Sequence, residues 1–262
     1  MISIVAYHRV ALVPEEHDPR ELATSPQLFE EQMAYLARTG HQCVSLVEAV
    51  RRWREGEPQP RQGFVLTFDD GYRDLYRNVW PVLDRFGFGA TVFLVAGCVG
   101  SQSDWEGQTG PSCAPMLSWA EARELARFGF TFGSHTLTHP RLTLLDDKRA
   151  WREIRQARVT IEDHLGVKVD LFSYPYGDFN AHIQRMVEES GHIAACGVDR
   201  GKWGIFNLWR AECASRESRV SFAFKVSGWY HQLLWLREES LLGGPLVRVL
   251  RRLRGTEITY QD

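Results

Sequence analysis

The sequence predicts an α/β fold, a parallel sheet or barrel wrapped by helices. Three observations lead there. Apolar, strand-like runs alternate with helical periodicities from Ile2 to Val198. Three of the runs end on polar clusters, Asp69-Asp70, His135 and Pro175-Tyr176-Gly177, as parallel strands do when their C-terminal ends share one rim. The 262 residues, 44% of them hydrophobic, suit one large α/β unit or two small ones, with apolar material for a sizeable core.

The elements follow in order. Ile2–Tyr7 is an apolar strand. Ser25-Pro26 opens a helix with Phe29, Met33 and Leu36 on one face, stopped at Gly40. Cys43–Ser45 is a short strand, and a helix runs on through Trp53. Glu55–Gln62 is a polar loop with two prolines. Phe64–Phe68 is the third strand, Tyr72–Phe86 a helix ended by Gly87, and Ala90–Ala96 another β-type run. Gly97–Pro115 is a long aperiodic loop of the kind that carries function or moves. Ser118 and Glu121 form a capping box at the head of a helix that ends at Gly129. Phe130–Ser134 is a strand. Asp147–Leu165 is an amphipathic helix with Trp151, Ile154, Arg158, Ile161 and Leu165 at helical spacing. Val169–Tyr174 is a strand, Asn180–Ser190 a helix, and Ile193–Val198 a further strand.

Composition excludes several classes. A net charge of −2 gives no electrostatic footprint for nucleic acid. The five cysteines are scattered without a CxxC pair, which argues against zinc ribbons and fits a reducing compartment. The N-terminal stretch MISIVAYHRV lacks a basic n-region and is too short to span a bilayer, and no later window is apolar enough. A cytoplasmic protein is expected.

The polar clusters carry the chemistry. In VLTFDDGY, Asp-Gly by itself signals a turn. In SHTLTHP, His135 and His139 stand four apart, a spacing that places both rings on one side of a helical turn. Alone, the pair fits two unrelated surface histidines as well as a metal site. With the DD and PYG strand ends on the same rim, the metal reading prevails. Two imidazoles and a carboxylate, here Asp70, are a usual ligand set for catalytic zinc. A cation also relieves the repulsion between adjacent carboxylates, leaving Asp69 ionised beside metal-bound water. A main-chain N–H at the PYG turn is placed to stabilise an oxyanion.

TFDDGY, SHTLTHP and FSYPYG, in this order and spacing, resemble the polysaccharide deacetylase family, the NodB-homology carbohydrate esterases. AYHRV and SPQLFEEQMAYLARTGHQCVSLVEAV are similar to members with FxYPYG as the third motif. The likeness covers roughly residues 1–210, and the three separated motifs make it specific. It implies a distorted parallel (β/α) barrel of about seven strands in a single catalytic domain, residues 1–220, followed by a helical extension, 221–262. It also implies metal-dependent removal of acetyl groups from a sugar in bacterial surface-glycan synthesis, with one divalent ion, zinc, on Asp70, His135 and His139. Asp69 is the implied base and Tyr176 N–H the oxyanion donor. Pro175, Tyr176, Trp203 and Arg210 are candidate substrate contacts.

The chain departs from that pattern in two ways. Many members have an arginine at the position of Ser173 that orients the catalytic aspartate; Arg210 or Arg9 is the candidate replacement. The usual general-acid histidine has no matching motif, so His8 and Asp69 itself compete for the role, and Asp69 is preferred. Trp105, Trp203 and Trp209 either stack on sugar rings or pack the core. Ser240–Gly255 mixes Leu and Val with arginines and reads either as a helix docked on the barrel or as a contact for a membrane surface or lipid-linked substrate. Two alternatives to an acetylated-glycan hydrolase stand: an amidase or deformylase, and a catalytically weak glycan-binding protein.

Overall fold

The computed structural model describes residues 2–105, 113–198 and 202–239. In chain order its elements are β1 (Ser3–Tyr7), β2 (Arg9–Val10), β3 (Ala23–Thr24), α1 (Pro26–Arg38), β4 (Gln42–Cys43), α2 (Leu46–Glu55), β5 (Gly63–Phe68) and α3 (Trp80–Phe86). Then come β6 (Thr91–Leu94), α4 (Trp119–Arg127), β7 (Thr131–Ser134), α5 (Asp147–Leu165), β8 (Leu171–Ser173), α6 (Ala181–Glu189), β9 (Ala194–Cys196), β10 (Ala211–Glu212), α7 (Arg219–Val226) and α8 (Trp229–Glu239).

Seven strands run in the order β10-β1-β5-β6-β7-β8-β9, and β4 pairs beside the start of β5. Every pairing is parallel. One parallel bridge between Cys196 and Leu208 ties β9 to the segment that enters β10, so the curled sheet is joined round on itself. This is the distorted parallel (β/α) barrel the sequence predicts. All strand C-termini face one rim, which therefore gathers the residues after Tyr7, Phe68, Ser134, Ser173 and Cys196.

Local chemistry sets the elements. Ser25, Ser45 and Ser118 cap α1, α2 and α4 through their side chains, and the predicted capping box of Ser118 and Glu121 is present. The helix expected over Tyr72–Phe86 is not continuous. A π-helical turn, Leu75–Val79, precedes α3, and Trp80 N–H reaches back to Leu75 O. Pro81 is the cause: it offers no N–H and its ring clashes with the preceding turn, so the chain widens there.

The inward stripe of α5 is Ala150, Ile154, Ala157, Arg158 and Ile161. Trp151, expected on that stripe, is 38% exposed, because it sits one residue out of register with the buried set. Arg158 is buried through hydrogen bonds to Glu162 and Ser190 O. The expected domain boundary at residue 220 falls inside α7, whose Phe222 and Val226 join the main core with β1 and α1 residues. No helix among the described residues is long and apolar enough to cross a membrane. The arginine-rich stretch from 240 to 255 lies outside the described residues.

Candidate active site

β5 ends at Phe68, and its direction is held one residue further by a hydrogen bond from Asp69 N–H to Tyr7 O (2.9 Å). Asp70 then turns into the left-handed region, φ 70°, and Gly71 follows at φ 84°. A Cβ at Gly71 would lie 2.5 Å from Leu94 Cδ2, so the turn also needs glycine for space. Two carboxylates adjacent in sequence are thereby aimed at different partners.

Asp69 faces Arg210. The guanidinium donates from Nη1 to Oδ1 and from Nη2 to Oδ2, both at 2.7 Å. It also donates to Ser173 Oγ (3.0 Å) and Gly197 O (3.2 Å). Ser173 Oγ in turn donates to Asp69 Oδ2 (3.3 Å). Both Asp69 and Arg210 are buried. Burial opposes ionisation of Asp69, but the Arg210 charge outweighs it, and the carboxyl is held well below the usual carboxylate range. Arg210, named both as the replacement for the missing arginine and as a substrate contact, grips Asp69 and also lines the pocket.

Asp70 faces the histidines. Its Oδ1 lies 3.4 Å from His135 Nε2 and 3.4 Å from His139 Nε2, which are 3.2 Å from each other. The three ligand atoms lie within 4.8 Å of one another, and all three residues are buried. His135 Nδ1 donates to Ser173 O (2.8 Å), which fixes the tautomer that turns the Nε2 lone pair toward Asp70. Asp70 Oδ1 is buried with no hydrogen-bond donor. Burial pushes His139 down to about 3, so its ring is a neutral donor of a lone pair. An orphaned carboxylate oxygen and two inward lone pairs fit a divalent cation.

The two histidines do not share a helical turn, as their spacing predicts. They sit on a loop after β7, with Thr136 at φ 66° and His139 at φ 62°. Left-handed conformation at both is what brings residues four apart onto one point without a helix. Such strain is held by its surroundings: Ala96 N–H donates to Thr136 O, Gly97 N–H to Leu137 O, and His139 N–H to Thr136 Oγ1.

The pocket in front of these groups is lined by His8, Trp105 and Tyr176 as well as Asp69, Asp70 and both ligand histidines. Pro175 and Tyr176 form the turn after β8, with Tyr176 at φ 59°. His8 follows β1 directly and is half-buried. Trp105 packs its ring 4.7 Å from that of His139. Trp203 is not brought to the pocket: it packs edge-on against Trp53 at 5.6 Å, next to the core under α2. Trp209 is buried with Tyr230 and Leu234. Sequence reasoning missed Arg20, Leu22 and Glu212, which also line the pocket. Arg20 and Arg141 stack on the Tyr176 ring at 5.2 and 4.4 Å. Arg20, Leu22 and Arg141 lie in loops and Glu212 in the two-residue β10, with no periodicity or motif to flag them.

Fold and site together define a class, a parallel (β/α) barrel with a candidate metal centre set beside a second, arginine-held carboxylate. A family model described as polysaccharide deacetylase matches residues 56–195, and the chain belongs to that family. Poly-β-1,6-N-acetyl-D-glucosamine N-deacetylase of Escherichia coli (strain K12) is 28% identical over 207 residues, covering 67% of this chain but only 30% of that enzyme. YxkH of Bacillus subtilis (strain 168), named for the same family, is 24% identical over 225 residues, covering 84% of this chain and 74% of its own length. The structure of Streptococcus pyogenes deacetylase PplD in complex with acetate superposes with a TM-score of 0.73 at 23% identity, over 83% of this chain and 94% of that one, and shows the same fold.

Proposed function

We propose that the chain is a metal-dependent hydrolase that removes acetyl groups from an N- or O-acetylated sugar or polysaccharide, in the synthesis of a bacterial surface glycan. The observation that carries this is the division of the paired aspartates: Asp70 belongs to a buried ligand triplet, while Asp69 is held ionised by Arg210 on the same pocket wall. A glycan-binding module needs no such second carboxylate. The name of the E. coli relative supports an N-acetylated hexosamine polymer as the substrate class.

Asp70, His135 and His139 would hold the ion. When bound, a divalent ion such as zinc supplies Lewis-acid polarisation of the acetyl carbonyl and makes water acidic, with a pKa near about 7. Asp69 takes the proton of the attacking water. Its Oδ1 accepts only from Arg210, so a lone pair of that oxygen remains for the task, while Oδ2 is occupied by both Arg210 and Ser173. The water oxygen bonds to the carbonyl carbon, and the Tyr176 N–H stabilises the oxyanion. The bond to nitrogen or oxygen then breaks, and Asp69 returns its proton to the leaving amine or alkoxide. Acetate and the free amine or alcohol result. His8 orients neighbours at the pocket edge. Tyr176, on the pocket wall, contacts the sugar.

The test is product release from N- and O-acetylated oligosaccharides before and after chelation. Acetate is expected, lost with chelator and restored by zinc. Formate or ammonia instead of acetate would favour an amidase or deformylase. Retained glycan binding without any product would make the protein a binding module.

A further inference from the structure

The loop from Thr136 to His139 joins the two candidate ligand histidines, and its conformation is costly. Two non-glycine residues, one of them β-branched, lie in the left-handed region, which L side chains disfavour. Something outside the loop must hold it. Three of its main-chain partners come from the loop itself or from the turn after β6. Two further N–H groups of the loop, those of Leu137 and Thr138, converge on one side chain. Glu153 Oε2 accepts from Leu137 N–H (2.9 Å) and Thr138 N–H (2.8 Å), and Glu153 Oε1 accepts from Thr138 Oγ1 (2.9 Å).

Two successive N–H groups that follow a left-handed residue make a concavity for an anion. The Glu153 carboxylate fills it from α5, a 19-residue helix whose buried stripe anchors it to the barrel. Charge-assisted hydrogen bonds of this type are the strong ones. The carboxylate touches neither His135 nor His139, so its effect on them passes through the main chain.

We propose that Glu153 is a positioning residue for the metal centre: it locks the loop that places His139 Nε2 against Asp70 and His135. This rests on the metal reading above. Removing Glu153 lets Thr136 and His139 relax toward ordinary backbone angles. His139 Nε2 then leaves the point where three ligand atoms meet, and the affinity for the ion falls while the catalytic groups themselves are intact.

The test compares wild type, Glu153→Ala and Glu153→Gln. Zinc affinity is measured by competition with a chromogenic chelator at a temperature where each protein is folded, and amide exchange at Leu137 and Thr138 is followed in metal-free protein. Glu153→Ala is expected to bind zinc about 10–100-fold more weakly, the range for residues that orient ligands, with faster exchange at both amides. Its kcat should recover at saturating zinc. Glu153→Gln keeps one acceptor oxygen and should fall between, which also covers the case in which the alanine variant does not fold. Wild-type zinc affinity in both variants, or in the glutamine variant alone if the other does not fold, would overturn the proposal. Absence of zinc binding by wild type would instead refute the metal reading itself, and this inference with it.

Discussion

Arg210→Met is the most informative single change. Arg210 and Asp69 are buried to within 6% and 3% of full exclusion from solvent and share two hydrogen bonds of 2.7 Å. Methionine fills much of the same space without charge, so Asp69 becomes a buried carboxylate with only Ser173 as donor. Breaking a buried pair in this way costs about 3–5 kcal/mol. For a chain of this size about 2–4 °C is lost per kcal/mol, so the melting temperature should fall by about 6–20 °C. Asp69→Asn in the same background removes the stranded charge. The double variant should therefore be more stable than the two single losses added together, with a coupling of about 2–3 kcal/mol from chemical denaturation. Zinc should remain bound in Arg210→Met, while kcat drops by about 10²–10⁴-fold because the base is no longer aimed. Strict additivity of the two substitutions, or near-normal turnover in Arg210→Met, would refute the role assigned to this pair.

Other outcomes follow from the same geometry. His8→Ala should keep the basic limb of the kcat/KM pH profile and lose less than about a hundredfold in rate; loss of that limb with zinc retained would make His8 the general acid. Gly97→Ala should loosen the histidine loop and weaken zinc binding, because the new Cβ would lie 2.6 Å from Leu137 O; unchanged affinity would show that the loop yields freely. Burial lowers His192 to about 3 and His231 to about 4 in the folded state, against about 6.5 unfolded. The unfolded chain then binds more protons below pH 6.5, so stability is full above that pH and falls as pH drops toward 4, by about 1 kcal/mol per unit for each group. His192→Gln should flatten this slope between pH 6 and 5 in denaturant titrations, and an unaltered slope would show that another group sets it.

Much of the barrel was legible because its strands are short apolar runs bounded by turn residues, and its helices carry their own caps at Ser25, Ser45 and Ser118. β10 was not legible. Two residues, Ala211 and Glu212, have no periodicity, and their strand character comes only from pairing with β1. Asp69, Asp70, His135 and His139 could be picked out because like charges at a strand end and paired imidazoles demand an explanation. The helical reading of the His135–His139 spacing failed because spacing cannot show that Thr136 and His139 adopt positive φ. Trp203 stands out for an aromatic ring in a loop, and neither feature says whether the ring meets the pocket or packs, as it does, against Trp53. Arg210 was found as a replacement for a missing arginine, but its two-pronged grip on Asp69 spans 141 residues of sequence and is fixed only by the closure of the sheet. Glu153 left no signal, since an acidic residue on an amphipathic helix is usually a solvated one.

The central claim is that adjacent aspartates do separate jobs, and metal content of Asp69→Asn and Asp70→Asn, measured beside acetate release, tests it most directly. About one zinc per chain is expected in wild type and in Asp69→Asn, with acetate release lost in the latter, and weakened zinc binding in Asp70→Asn. Equal loss of zinc from both variants, or continued acetate release by Asp69→Asn, would contradict it.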